Sequence, residues 1–230
     1  MSTELLELAA DVLGGLRERV VFLGGATVGL WLSDPAARQP RVTVDVDIVA
    51  EVTTLLDYTM FQEDLRRLGL TEDTESGVLC RWRHAASGLV LDAVPLELRL
   101  AGFSGKWLKP AAEAAVDHEL PSGSAIRVVP PAWLLATKLE AFGDRGANDL
   151  LSSRDFEDIV LLIDGREELL DEVPSLPAEA AGYVQAELRR LQALRAFEYG
   201  VEGALSQTDG QARAQAVTIP RFGLLSTDHE

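Results

Sequence analysis

The spacing of apolar residues changes between helical and strand-like along the first part of the chain. Residues 2–18 have the pattern of an amphipathic helix, with Ser2 or Thr3 as its N-cap. The run 20–25 is short, apolar and rich in β-branched residues, and it stops at two glycines before residues 26–32 return to helical spacing. This order predicts a strand, a tight turn and a helix.

Residues 41–49 alternate strictly between aliphatic and polar side chains, which predicts a strand. Its aliphatic face contains Val42, Val44, Val46 and Ile48, and its polar face contains Thr43, Asp45 and Asp47. Two further strands, 79–84 and 88–96, are close enough in sequence to form a hairpin, and residues 124–130 form another strand.

Helical spacing returns at 52–68, ends there at Gly69, and dominates after residue 130. A helix is predicted to begin at Pro131 and to end at Gly143 or Gly146. Later elements are a helix over 152–165 capped by Ser152 or Ser153, a long helix over 176–204, and a polar, aperiodic tail over 206–230. We therefore expect a mixed α/β core over residues 1–130 and a helical part over 131–205.

Composition limits the class of protein. A chain of 230 residues can bury a core without disulfides or a structural metal. The single cysteine, Cys80, excludes an internal disulfide and a cysteine zinc cluster, and only three histidines remain for other metal sites. A net charge of −16 excludes general binding of nucleic acid by the whole surface. No segment has the pattern of a membrane span or a signal peptide, so we expect a cytoplasmic protein.

Three aspartates carry the chemistry that the pattern suggests. Asp45 and Asp47 project from one strand face roughly 7 Å apart, and like charges held that close repel unless a cation such as Mg²⁺ or Mn²⁺ joins them. Asp92 lies in an otherwise apolar strand, where an aspartate is costly unless it faces a polar site or an ion. The three carboxylates converge if the two strands are neighbours. The alternative is a strand whose polar face is merely hydrated.

Gly24 and Gly25 stand at the predicted strand-to-helix turn, where backbone N–H groups can receive a phosphate. Two glycines are also common in an ordinary tight turn. Together with the three carboxylates, the turn is typical of a site for Mg²⁺ and a nucleoside triphosphate.

The segments LGGATVGLWL, RVTVDVDIV and VLDAV resemble the nucleotidyltransferase superfamily that includes DNA polymerase β. The form R-x-T-x-D-x-D, which begins at Arg41, is followed by Lys138 in a later helix and by an R-D-x-x-D helix that begins at Arg154. This combination is similar to the AbiEii/AbiGii-type toxin nucleotidyltransferases of bacterial type IV toxin–antitoxin systems. The resemblance covers about residues 20–165.

The resemblance implies a mixed sheet flanked by helices and an enzyme that transfers NMP from an NTP such as ATP to an acceptor hydroxyl. It implies an RNA acceptor, tRNA ends in particular, ahead of a protein or a small molecule, and a cognate antitoxin as a partner. The implied catalytic residues are Asp45, Asp47, Asp92, Lys138 and Asp155; the implied metal ligands are Asp45, Asp47 and Asp92; and the implied nucleotide contacts are Gly24, Gly25, Thr43, Lys138 and Asp158.

Each of the later residues also has a structural interpretation. Lys138 could lie along a half-exposed helix with its ammonium group in water. Asp155 and Asp158, three residues apart on one helical face, could simply complement the helix dipole.

Residues 80–110 hold five basic against two acidic side chains in an otherwise acidic chain. The basic residues are Arg81, Arg83, Arg99, Lys106 and Lys109, and the interleaved aromatic residues are Trp82, His84, Phe103 and Trp107. This composition predicts a track for an RNA backbone with stacked bases. Arg81 and Arg83 could equally be the hydrated face of an alternating strand.

Two other functions stay open. A catalytically silent member would bind nucleotide or a partner protein without transferring anything. A phosphatase of the haloacid-dehalogenase type would also use a DxD pair, together with a motif such as GDRGAND at 143–149. Against the phosphatase, Val49 stands where that family has a threonine, and the GD pair follows a helix rather than a strand.

Overall fold

The structure, a computed structural model, describes residues 2–97, 105–145, 149–206 and 209–227. The chain divides into two compact units. The first comprises Met1–Gly29 and Arg41–Pro130, and the second comprises Leu30–Pro40 and Pro131–Glu230. No helix in these described ranges is long and apolar enough to cross a membrane.

The first unit is built on a seven-stranded mixed sheet with the strand order β3-β4-β5-β2-β1-β7-β6. The strands are β1 Val20–Leu23, β2 Asp45–Ala50, β3 Leu70–Glu72, β4 Arg81–His84, β5 Leu89–Pro95, β6 Val116–Glu119 and β7 Ala125–Val128. Its helices are α1 Ser2–Leu13, α2 Leu55–Arg67 and α3 Leu108–Glu113. Strand β2 is parallel to β5 and antiparallel to β1.

Alternation along β5 separates the two faces of the sheet. Leu89, Leu91 and Ala93 are buried, whereas Val90 and Asp92 are half-buried. The buried face packs against other elements that include α1, which contacts both β2 and β5. The half-buried face therefore carries the polar residues of the central strands.

The predicted strand over 41–49 is wrong in its first half, because β2 begins at Asp45. Val42 and Val44 are exposed and Thr43 is buried, which is the reverse of the expected alternation. The ladders explain the late start: β5 begins at Leu89 after a turn, so its pairing with β2 begins at Asp45. Among the described residues, no strand lies beside 41–44 to hold them in an extended register.

Two other elements of the first unit differ from the prediction. The segment after the glycine pair is a 3₁₀ helix over Gly25–Leu30 rather than an α-helix. The short strands β3 and β6 were not predicted, because three or four residues of mixed polarity carry no recognisable period.

The second unit is helical within its described residues, as the sequence predicts. Its helices are α4 Pro131–Arg145, α5 Arg154–Gly165, α6 Leu169–Glu172, α7 Ala178–Gln192, α8 Phe197–Ala204, α9 Gly210–Arg213 and α10 Ile219–Leu225, with a π-helical turn over Ala214–Thr218. The single helix predicted over 176–204 is divided into α7 and α8. The break allows Phe197 to pack edge-on against Phe222, with ring centroids 5.0 Å apart.

The prediction of an aperiodic tail from Ser206 is wrong for residues 210–225, which are helical. Ala214, Thr218, Phe222 and Leu225 are buried at helical spacing there. Polar residues around them conceal that period in the sequence. Gly146, a predicted helix end, lies outside the described residues.

A buried ionic cluster stabilises the second unit. Asp164, near the end of α5, is fully buried and accepts from Nε of Arg213 at 2.7 Å to each carboxylate oxygen. The hydroxyl of Thr218 donates to the same carboxylate at 2.7 Å. Arg213 also donates to Asp34 at 2.7 Å, and Arg221 donates to the backbone carbonyl of Asp164 at 2.6 Å. Such a fully hydrogen-bonded buried charge fixes the segments that contribute to it.

Candidate active site

The sheet brings the three predicted carboxylates together. In the parallel ladder between β2 and β5, Asp47 is the register partner of Asp92 and Asp45 is the partner of Val90. Register partners project from the same face, as do residues two apart on one strand. Asp45, Asp47 and Asp92 therefore lie on the half-buried face of the sheet, at neighbouring positions.

Arg81 is a fourth member of this group. It is the register partner of Asp92 in the β4–β5 hairpin. Its Nε and one terminal nitrogen donate to the two oxygens of Asp92, each at 2.7 Å, and the same terminal nitrogen donates to Asp45 at 2.6 Å. These hydrogen bonds, chiefly those to Asp92, raise the pKa of the Arg81 guanidinium above its ordinary value.

Backbone geometry on both sides positions these groups. Gly24 has φ +81°, and a Cβ placed there would come within 1.9 Å of Oδ2 of Asp47. Only glycine allows the β1 turn to pass so close to that carboxylate. Before β4, Cys80 has φ +61°, a left-handed conformation that is uncommon outside glycine, and its carbonyl accepts from the backbone N–H of Ala93. The backbone of Arg81 is thereby tied to β5.

Two of the predicted nucleotide contacts, Gly25 and Thr43, are buried. Gly25 begins the 3₁₀ segment, whose first turn is closed by Thr27, which donates from both its backbone N–H and its hydroxyl to the carbonyl of Gly24. Oγ1 of Thr43 is buried and has no hydrogen-bond partner among the described residues. The buried hydroxyl of Thr43 is therefore able to donate to a ligand.

The donors present have the chemistry that Mg²⁺ or Mn²⁺ prefers, namely carboxylate oxygens with a buried hydroxyl nearby in sequence. As they stand, no three acidic, histidine or cysteine side chains in the described part of the chain are grouped closely enough to hold a metal ion. Asp45 and Asp92 share the guanidinium of Arg81, which takes oxygens that a cation would use. The oxygen chemistry of the three aspartates fits a divalent cation, and Arg81 must move for that cation to bind.

The second unit holds the other predicted site residues. Nζ of Lys138, on α4, lies 3.1 Å from Oδ1 of Asp155 and 2.6 Å from Oδ2 of Asp158. Ser153 caps α5 by accepting from the backbone N–H of Phe156, which sets both aspartates in the first turns of that helix. Lys138 is buried, so it does not extend along an exposed helix face. The structure thus joins Lys138, Asp155 and Asp158 into one cluster.

Several residues of the predicted RNA track are buried or paired with acidic side chains. Trp82 and Trp107 are 1% and 4% exposed, so the prediction that they stack on bases is wrong. Their apolar rings complete the core instead. Arg83 pairs with Asp73 at 2.6 Å and lowers the pKa of that carboxyl to about 2. Lys106 is exposed and lies over the ring of Trp107.

Lys109 is exposed as well. Arg99 and Phe103 lie outside the described residues.

The site residue that sequence reasoning misplaced is Arg81, which we predicted in the RNA track. The signal was available, because a hairpin that closes at His84 and Leu89 necessarily pairs Arg81 with Asp92.

Comparisons with known proteins identify the family of the chain and support its fold. The sequence model of the family described as the nucleotidyl transferase AbiEii toxin of type IV toxin–antitoxin systems matches residues 8–220. Among solved structures, the chain is similar to an antigenic nucleotidyltransferase-like protein from Paracoccidioides brasiliensis, with 17% identity and a TM-score of 0.50. That match covers 94% of this chain and 93% of the other, and it supports the fold alone. No curated protein matches the chain.

Proposed function

Because the chain belongs to the AbiEii family of nucleotidyltransferase toxins, we propose that it transfers NMP from an NTP to an RNA hydroxyl, with Asp45, Asp47 and Asp92 as ligands of the accompanying Mg²⁺. The observation that carries the proposal is the register of β2 and β5, which sets Asp92 beside Asp47. The phosphatase alternative loses its support, because Asp144 of its second motif lies within helix α4.

In the proposed reaction the acceptor oxygen bonds to the α-phosphorus, and the bond from that phosphorus to the β-phosphate oxygen breaks. The hydroxyl proton passes to a carboxylate of the site, and pyrophosphate leaves. A bound divalent cation would neutralise phosphate charge and make the hydroxyl more acidic.

The protein's own groups orient the nucleotide. We assign the turn backbone at Gly24 and Gly25 to the triphosphate, because Gly24 passes close to the carboxylate of Asp47, a proposed ligand of the metal that accompanies the phosphates. The buried hydroxyl of Thr43 is available as a further donor. Lys138, which pairs with Asp155 and Asp158, is assigned to the terminal phosphates. Its ammonium group is a compact charge that can exchange one carboxylate contact for a phosphate oxygen.

RNA is the proposed acceptor because the exposed Lys106 and Lys109 belong to a locally basic stretch of an acidic chain. Arg83 is the third exposed contributor, although Asp73 competes for it. Arg81 belongs to the carboxylate site instead. Membership of a toxin–antitoxin family also suggests a partner antitoxin.

The experiment is transfer of radiolabel from each of the four α-labelled NTPs, with Mg²⁺, to total RNA and to purified tRNA. We expect label in RNA for the wild type and a loss of at least about a thousandfold for Asp45→Asn combined with Asp47→Asn. The matched control is Asp117→Asn, which changes an exposed strand aspartate of the same unit and should leave transfer unchanged.

Other outcomes separate the alternatives. Nucleotide binding without transfer to RNA, protein or aminoglycoside would identify a silent binding module. Label on a small molecule but not on RNA would keep the transferase and reject its RNA acceptor. Undiminished transfer in the double aspartate variant would contradict the proposed site.

A further inference from the structure

The guanidinium of Arg81 binds two of the carboxylates that the proposed function assigns to a metal. It makes three charge-assisted hydrogen bonds of 2.6–2.7 Å to Asp45 and Asp92. Among the described residues, it donates to no other side chain or carbonyl. Asp45 and Asp92 carry two negative charges against the single positive charge of Arg81, so a cation is still favoured there.

A divalent cation and this guanidinium cannot share the same oxygens. Two cations held within about 4 Å of each other repel strongly in a partly desolvated site. The side chains of Arg81, Asp45 and Asp92 are 17%, 25% and 13% exposed, so water reaches the group and the guanidinium has a way out. Because Cys80 and the β4–β5 ladder tie the backbone to β5, the departure is a rotation of the Arg81 side chain.

We propose that Arg81 is an exchangeable counter-cation, which holds Asp45 and Asp92 together in the metal-free protein and is displaced when a divalent cation binds. This inference rests on the proposed function in one respect, the assignment of those aspartates as metal ligands. It adds that the protein supplies its own competitor for the metal, so that Arg81 lowers the metal affinity of the site.

The first test is Mn²⁺ binding to the full chain, measured by the loss of the free-ion EPR signal. We expect Arg81→Gln to bind Mn²⁺ about tenfold more tightly than the wild type, as the removal of about 1.4 kcal/mol of competition would give. The matched control is Arg83→Gln, two residues along the same strand and paired with Asp73, which should bind with wild-type affinity. Wild-type or weaker affinity in folded Arg81→Gln overturns the proposal.

The second test follows the wild-type protein, and a conservative variant serves only to assign one resonance. The arginine Nε–H resonances of the wild type are followed by NMR during titration with Mg²⁺, and that of Arg81 is assigned by its absence from the spectrum of Arg81→Lys. We expect the Arg81 resonance to move in step with metal binding, because its bond to Asp92 is lost. A resonance that stays in place while Mg²⁺ binds contradicts the exchange.

The two proposals fail in different ways. If the wild type transfers label but Arg81→Gln binds Mn²⁺ no more tightly, only the counter-cation proposal is wrong. If Arg81→Gln binds Mn²⁺ more tightly but no NTP labels any acceptor, the exchange stands and the transferase proposal is wrong.

Discussion

Arg81 in the first unit and Arg213 in the second each bridge two aspartates, with N–O distances of 2.6–2.7 Å in both clusters. Their surroundings differ. Asp164, the main partner of Arg213, is fully buried and accepts from Arg213 and from a hydroxyl. Asp45 and Asp92 are partly exposed and receive side-chain hydrogen bonds from Arg81 alone, within the described residues.

This difference shows that ion-pair geometry does not by itself distinguish a ligand-binding cluster from a cluster that only stabilises the fold. A buried carboxylate that accepts three side-chain hydrogen bonds in a dry interior has little capacity left for another ligand and supports the fold. A carboxylate that keeps lone pairs and access to water can exchange one cation for another. Spare acceptor capacity is therefore the property that distinguishes the two clusters, and it is testable.

The largest expected effect is on stability in the second unit. Arg213→Met leaves the buried charge of Asp164 without its main partner, and we expect the free energy of unfolding to fall by about 3–5 kcal/mol. Arg81→Met removes a similar set of bonds from partly exposed aspartates, and we expect a loss of no more than about 2 kcal/mol. Urea denaturation of both variants measures the difference. Equal losses in the free energy of unfolding of the two variants would contradict the proposed difference between the two clusters.

The glycine side of the carboxylate site is tightly fitted, and Gly24→Ala tests it. A Cβ at 1.9 Å from the carboxylate of Asp47, on a backbone with φ +81°, is expected to cost about 2–4 kcal/mol and to abolish label transfer. The control is Gly77→Ala, where φ is +69° but no atom lies within 4 Å of the new Cβ. Gly77→Ala should cost only about 1–2 kcal/mol and leave transfer intact. Comparable losses in both variants would mean that the contact with Asp47 is relaxed easily.

A pair of threonines sharpens the comparison further. Thr218→Val removes the hydroxyl that donates to Asp164, and we expect a loss of about 1–2 kcal/mol in the free energy of unfolding. Thr43→Val removes a buried hydroxyl with no partner among the described residues, so stability should stay within about 0.5 kcal/mol or rise. Label transfer should fall in Thr43→Val alone. A destabilised Thr43→Val would show that its hydroxyl is structural.

Much of the carboxylate site follows from local sequence pattern. Period-two alternation is enough to set Asp45 and Asp47 on one face, and helical spacing is enough to set Asp155 beside Asp158. That Asp92 is the neighbour of Asp47 depends on the strand order, which is a property of the whole sheet and has no local signal.

The remaining differences also have physical causes. Val42 and Val44 alternate like strand residues, but no strand in the described part of the chain pairs with them, and they are exposed. The helical tail depends on packing of Phe222 against Phe197, which a window confined to the tail cannot detect. The pairing of Arg81 with Asp92 follows from the hairpin register. Charged residues in an alternating strand are usually hydrated, so the local pattern favours a hydrated arginine instead.

The smallest effect concerns the pair of Arg83 and Asp73, in which a single exposed arginine contacts a single aspartate. The Arg83 guanidinium, helped by backbone N–H groups of Glu75 and Ser76, lowers the pKa of Asp73 to about 2, below the ordinary value of about 3.9. Since the folded-state pKa is the lower one, the pair stabilises the protein above about pH 4, and this contribution is lost as the pH falls towards 2. Carboxyl NMR titration should give an Asp73 midpoint near 2 in the wild type and a higher one in Arg83→Gln. An unchanged midpoint would mean that the backbone donors alone hold the charge, and that Arg83 is already available to an RNA phosphate.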